Sequence, residues 1–260
     1  MRFIFFLLMF LSVGALAQNK KKQWKLFWQD EFSTNGIPDT TKWGFTGRGK
    51  SDWNCYCADN TSTAIVKDGS FFLNGILNND RRDTARYQTG CIQTKNKFSF
   101  KYGKLEVRAK LGKGQGSWPA IWMMPESSEY GGWPKSGEID VMEQLNSDTI
   151  FYQTMHSYFI DVLKHKNEPK YFTTSRFKVN EFNVFGMEWY PDRIDLLING
   201  VKTFSYPKLK NDSTGTQWPF DHPFYIIMDQ ALGGSWPGPV KSGDLPVSMM
   251  VDWVRVYQEQ

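Results

Sequence analysis

Histidine, cysteine and surplus charge are all scarce in this chain. The three histidines, His156, His165 and His222, stand at no ligand spacing to the three cysteines, Cys55, Cys57 and Cys91, which argues against a Cys/His metal site. The formal net charge is only +4 over 260 residues and includes the basic junction Asn19-Lys20-Lys21-Lys22. Nothing in that balance points to nucleic acid or an anionic membrane as partner. No window of about 12 residues keeps a helical period, and no internal repeat or low-complexity linker is present. Beyond the N-terminus no segment is apolar enough to span a bilayer.

At the N-terminus, Met1-Arg2 precedes an apolar run from Phe3 to Leu11, then Ala15-Leu16-Ala17. A charged start, a short apolar core and a small-x-small end predict a signal peptide over residues 1–17, cleaved after Ala17. Phe3 to Ala17 is about 15 residues, short of the roughly 20 that a spanning helix needs. Secretion or release into a periplasm is the expectation, and residues 18–260 suit one domain. Such a compartment permits disulfides, so a bridge from Cys91 to Cys55 or Cys57 is allowed, with at least one of the three unpaired.

The rest of the chain reads as short strands between turns. Lys25 to Phe32, Ser70 to Asn74, Leu105 to Lys110, Phe182 to Trp189 and Arg193 to Ile198 are rich in β-formers, with Asp68-Gly69, Pro191-Asp192 and Asn199-Gly200 as turns. Leu105, Val107 and Ala109 alternate with Glu106, Arg108 and Lys110, the pattern of a half-buried antiparallel strand. The fold class is therefore all-β, a jelly-roll sandwich of two antiparallel sheets.

Three carboxylates, Glu138, Asp140 and Glu143, fall within one otherwise apolar stretch that contains no Lys or Arg. A solvated strand would have polar, charge-mixed neighbours, whereas the run from Trp118 to Pro125 upstream is apolar and aromatic. On a helix at about 100° per residue the three acids scatter, and on a regular strand Glu143 faces away from the other two. A β-bulge at Val141-Met142 restores a common face, and bulges re-aim side chains near active sites. Clustered acids also serve metals, but a lone strand with no His or Asn beside it matches no common loop. Two carboxyls about 5 to 5.5 Å apart suit glycoside hydrolysis with retention, one as nucleophile and one as acid and then base, while about 6.5 Å or more suits inversion. Acids packed in a desolvated cleft cannot all ionise cheaply, so at least one pKa is expected to rise.

Aromatics make up 16% of the chain, including 11 Trp, more than core packing alone asks for. Trp118 and Trp122, four apart on a strand, share a face with Ala120 and would line one groove. The Gly114 to Ser117 lead-in and Pro119 place that strand at the edge of the cleft.

These residues are recognisable as a set. Gly137-Glu-Ile-Asp-Val-Met-Glu143 resembles the E-x-D-x-x-E signature of glycoside hydrolase family 16, in its bulged laminarinase-like branch. The resemblance runs on through Trp28-Gln-Asp-Glu-Phe32, Gly116-Ser-Trp-Pro-Ala-Ile-Trp122, Gly132-Trp-Pro134, Ala231 to Gly238 and Val251 to Gln258. It implies a jelly roll with a long concave cleft, Glu138 as nucleophile, Asp140 as the assisting acid and Glu143 as acid/base. It further implies that Asn54, Trp118, Trp122, Trp133, His156 and Trp236 line the cleft. No cofactor is implied for catalysis, but a structural Ca²⁺ near Glu31, Gly69 and Asp252 is.

The implied activity is endo-hydrolysis of β-1,3 or mixed β-1,3/1,4 glucan by a monomer that uses neither nucleic acid nor membrane. Asp229, in Met228-Asp229-Gln230, stands where the family often has Asn, which bears on sugar specificity. A galactanase for agar, porphyran or carrageenan, a glucan-binding protein without catalysis, and a transglycosylase are the alternatives. The segment from Tyr158 to Thr174 and the loop from Gly47 to Cys57 are expected to shape the cleft ends.

Overall fold

The structure, a computed structural model, describes residues 23–212 and 214–260; the leader expected over residues 1–17 lies outside them. In chain order the strands are β1 (Trp24–Asp30), β2 (Gly44–Phe45), β3 (Ala64–Lys67), β4 (Ser70–Leu77), β5 (Tyr87–Thr89), β6 (Cys91–Gln93), β7 (Gly103–Lys110) and β8 (Ser117–Pro125). There follow β9 (Glu138–Glu143), β10 (Ile150–His156), the one-turn helix α1 (Tyr158–Asp161), β11 (Phe172–Arg176), β12 (Asn183–Trp189), β13 (Arg193–Ile198), β14 (Val201–Pro207), β15 (Phe224–Leu232) and β16 (Val247–Glu259). Four residues are too few to leave a helical period, which is why the sequence carries no sign of α1.

Every pairing between these strands is antiparallel, and they form two sheets. One runs β14-β13-β12-β7-β16-β4-β3, with β1 on β16 and β5 on β4; the other runs β11-β10-β9-β8-β15-β6-β2. Neighbours distant in sequence, such as β7 beside β16 and β8 beside β15, make the jelly-roll crossovers. The alternation read in β7 holds: Leu105, Val107 and Ala109 are buried between the sheets, in one continuous core with Ile139, Val141 and Met142 of β9. Asp68 and Gly69 both adopt positive φ (51° and 74°) in the β3–β4 hairpin, a two-residue turn in which glycine's freedom is needed.

The strand β8 lies between β9 and β15 in the middle of its sheet, and its Trp118, Ala120 and Trp122 line the cleft. Proline is tolerated there because the Pro119 carbonyl accepts from Gln144 N, just past the end of β9, so the side of the backbone that lacks an N–H lies outside the β9 ladder. Cys57 and Cys91 form the disulfide, tying the loop before β3 to β6, and Cys55 is free and half-buried. Burial and the nearby Asp52 charge push the Cys55 thiol pKa up.

Candidate active site

The acidic strand is bulged where its spacing requires. On β8 the neighbours Ile121 and Trp122 pair with Met142 and Asp140, two apart on β9, so Val141 is extra. On the other flank Tyr152 and Thr154 of β10 oppose Glu143 and Asp140, a two-residue step against three. Val141 and Met142 therefore both point into the core, while Glu138, Asp140 and Glu143 line one cleft on the outer face of the sheet. Gly137 sets the entry to β9: its φ is +83°, and a Cβ there would lie 2.9 Å from the Phe220 and Pro219 rings.

The cleft holds about 480 Å³. Trp118, Trp122, Trp133, His156 and Trp236 line it as expected, and Trp53, Tyr152, Thr154, Tyr171, Phe172 and Asp229 join them. Two indoles grip the outer acids, Trp133 Nε1 donating to Glu138 Oε2 and Trp118 Nε1 donating to Glu143 Oε1 at 3.1 Å. Trp122 Nε1 donates to Asp229 Oδ2 at 2.7 Å. The Trp236 ring meets Trp118 edge-on at 5.5 Å and stands half-exposed at the mouth, an apolar face open to a flat sugar ring.

Burial raises the pKa of both glutamates. For Glu138, desolvation is followed by the Asp140 charge; for Glu143, desolvation is followed by the charges of Asp140 and Glu138 together. Glu143 is 9% exposed and faces both negative neighbours, which favours its protonated form. Among the described residues the one cation against the cluster is His156, whose Nε2 lies 3.2 Å from Asp140 Oδ2. Burial alone would lower the His156 pKa, but hydrogen bonds to Asp140 and Asp161 outweigh it and raise the pKa well above the ordinary value. Asp229, 1% exposed on β15, is pushed up to about 8 by burial, against the pull of the Trp122 N–H and the Ala231 amide.

Two expectations are corrected. Asn54 does not line the cleft: its Oδ1 accepts from Ser51 N at 3.1 Å and folds its own loop, while the adjacent Trp53 reaches in and packs edge-on against Trp122 at 4.8 Å. Nor do Glu31, Gly69 and Asp252 gather donors for Ca²⁺. Both Glu31 oxygens accept from Arg255 at 2.8 and 2.9 Å, Asp252 accepts from Arg108, and Gly69 serves the hairpin turn. These carboxylates do not fit a cation, and among the described residues no group of three or more His, Cys, Asp or Glu assembles for one.

Some of the added lining was within reach of sequence reasoning. Tyr152, Thr154 and His156 alternate along β10, so period two from His156 finds the other two. The expected end-shaping segments contribute Tyr171 and Phe172 on one side and Trp53 on the other. The latter loop is pinned across the cleft by Asp52 Oδ2, which accepts from Ser235 N and Oγ at 2.7 and 2.8 Å.

A two-sheet β-sandwich bearing an indole-walled cleft with three inward carboxylates on a bulged strand defines a glycoside-bond hydrolase of the jelly-roll class. The model of glycosyl hydrolases family 16 matches residues 54–255, and the chain belongs to that family. It is 41% identical to a keratan-sulfate endo-1,4-beta-galactosidase of Sphingobacterium multivorum over 90% of this chain, spanning 55% of that relative's length. It is 32% identical to a beta-glucanase of Rhodothermus marinus, covering 95% of this chain and 89% of the relative. The solved laminarinase of Rhodothermus marinus superposes with a TM-score of 0.83 at 31% identity, covering 92% of this chain and 99% of that one.

Proposed function

We propose that this protein cleaves internal bonds of a β-1,3 or mixed β-1,3/1,4 glucan with retention at the anomeric carbon. The observation that carries the reading is the bulge that turns Glu138, Asp140 and Glu143 into one indole-walled cleft. Glu143, held protonated, gives its proton to the glycosidic oxygen as the C1–O bond breaks. The Glu138 carboxylate attacks C1 and forms a glycosyl ester. Water then attacks C1, losing a proton to Glu143 and freeing Glu138. The indole N–H groups of Trp133 and Trp118 fix the two carboxyls, and Asp140 stands between them. Family 16 chemistry of this kind calls for no cofactor.

A second reading, an endo-β-galactosidase, is favoured by the 41% identity with the keratan-sulfate enzyme and by the buried acid Asp229 beneath Trp122. One panel separates the two: laminarin, barley β-glucan, agarose, carrageenan and keratan sulfate, with product size and anomer followed by NMR. The glucanase reading expects oligosaccharides from laminarin or barley β-glucan with the β-anomer appearing first. Release from keratan sulfate alone replaces it with the galactosidase reading, and initial α-anomer overturns the retaining mechanism. Glu138→Gln, expected to bind but not cut, distinguishes either enzyme from a binding protein. The leader-like residues 1–17 and the Cys57–Cys91 disulfide support export to an oxidising compartment as its setting.

A further inference from the structure

His156 has a second partner that no part of the family signature supplies. Asp161 closes the one-turn helix α1 in the segment that follows β10, and both of its carboxylate oxygens face His156 Nδ1, at 3.1 and 3.2 Å. Its orientation is fixed locally: the Ser157 backbone N–H donates to Asp161 Oδ2 at 3.1 Å, and Ser157 Oγ accepts from Ile160 N at 3.4 Å to cap the turn. The other ring nitrogen, Nε2, lies 3.2 Å from Asp140 Oδ2. The imidazole thus sits between two carboxylates with both nitrogens engaged by acceptors. A neutral imidazole has one N–H, and would leave its other nitrogen facing a carboxylate lone pair to lone pair; with both carboxylates ionised, only the doubly protonated ring satisfies both contacts.

We infer that Asp161 is a positioning residue for hydrolysis, locking His156 as the imidazolium that supports Asp140 from behind. This inference rests on the active-site reading above. Asp161 touches neither Asp140 nor the reacting bond and acts through the ring. The titratable groups facing His156 are Asp140, Glu138 and Glu143 from β9 and Asp161 from α1. Lys164 bonds the Asp161 backbone carbonyl, and Trp133, which carries no charge, lies 6.1 Å away ring to ring. With one cation among four acids, removing Asp161 weakens the hold on that cation. Once His156 loses its proton, Glu138 loses the positive charge that favours its ionisation.

The test compares Asp161→Asn, which keeps the shape and loses the charge, with Asp161→Glu, which keeps the charge. In full-length protein with isotope-labelled histidine, the NMR signal that vanishes in His156→Gln identifies the His156 ring. Its titration midpoint is expected to fall by at least about one pH unit in Asp161→Asn and to recover in Asp161→Glu. On the polysaccharide that proves to be cut, kcat of Asp161→Asn should be near wild type at about pH 5.5 and about tenfold lower at about pH 8, with KM changed less than about twofold. An unshifted titration in Asp161→Asn overturns the inference. So does a kcat deficit that is constant across pH, or equal loss of activity and melting temperature in both variants, since either marks a purely structural role. The titration needs no substrate, so absence of any activity in the wild-type protein defeats the active-site reading without obscuring this result.

Discussion

Carboxylates on the two sheets of this protein live under opposite rules. On the nine-stranded sheet Glu31 faces the Arg255 fork, and that hydrogen-bonded pairing draws its pKa below the ordinary value despite some burial. Asp252 likewise faces Arg108. On the seven-stranded sheet Glu138, Asp140 and Glu143 crowd together with His156 as their one cation among the described residues, and burial drives both glutamates upward. An acid given an arginine is a surface fixture, whereas an acid denied one and desolvated becomes a proton donor near neutral pH. The difference lies in partners rather than in residue type, so the same Glu can be structural or chemical within one fold.

The comparison breaks most visibly at β9. Glu143→Gln and Glu138→Gln should each lower kcat by at least about a thousandfold, with the melting temperature unchanged or raised because a buried acid is relieved. Steady-state rates on the active polysaccharide together with thermal melts check this. Residual activity above a few per cent would show that proton transfer does not depend on the pair. Deleting Met142 tests the geometry rather than the charge. Without the extra residue the strand is regular and Glu143 stands four residues from Glu138, so all three acids keep one face while the core loses the Met142 side chain. We expect a stability loss of about 2–5 kcal/mol, measured by chemical denaturation, with activity kept in part. A deletion variant that folds but no longer cuts would show that the bulge sets the carboxyl separation and not merely the shared face.

Much of this site was legible in the sequence because period two is a strict rule. The spacing from Glu138 to Glu143 cannot put three acids on one face of a regular strand, so it announces the bulge that the pairings of β9 display. The same rule yields the floor formed by Trp118, Ala120 and Trp122. Contacts made across long loops were not legible. Asn54 and Trp53 are adjacent, and only the folded loop decides which of them enters the cleft. Asp161 reaches His156 through one turn of helix too short to leave a periodic signal. Arginines on β7 and β16 claim the carboxylates that the family resemblance offered to Ca²⁺, and cross-strand pairing of this kind has no one-dimensional trace.

Asp229 sharpens the comparison from within the cleft sheet, as a buried acid outside the signature. Its folded pKa of about 8 lies above the ordinary carboxyl value, so between the two the folded protein keeps a proton that the unfolded chain has released. Its contribution to stability is complete below about pH 4 and declines as pH rises toward about 8. Asp229→Asn preserves an acceptor for the Trp122 N–H and removes this dependence. The variant should gain about 2–4 kcal/mol relative to wild type between about pH 5 and about pH 8, read from denaturant midpoints at both values. An identical difference at the two pH values would mean that Asp229 is ionised in the folded protein throughout.

The smallest effect belongs to the other sheet. Glu31 is partly open to water, so its ion pair with Arg255 is screened and costs side-chain freedom to hold. Glu31→Gln should reduce stability by no more than about 1 kcal/mol, with the loss shrinking as salt is added and kcat unchanged. Because Gln keeps an acceptor for the guanidinium and Arg255 also lies over the Trp253 ring at 4.1 Å, the arginine is not stranded. Thermal melts at low and high salt, with and without added Ca²⁺, separate the two uses of this carboxylate. A loss of several kcal/mol, or one that appears only when Ca²⁺ is present, would show that Glu31 serves a cation rather than Arg255, and the contrast between the two sheets would fail at this residue.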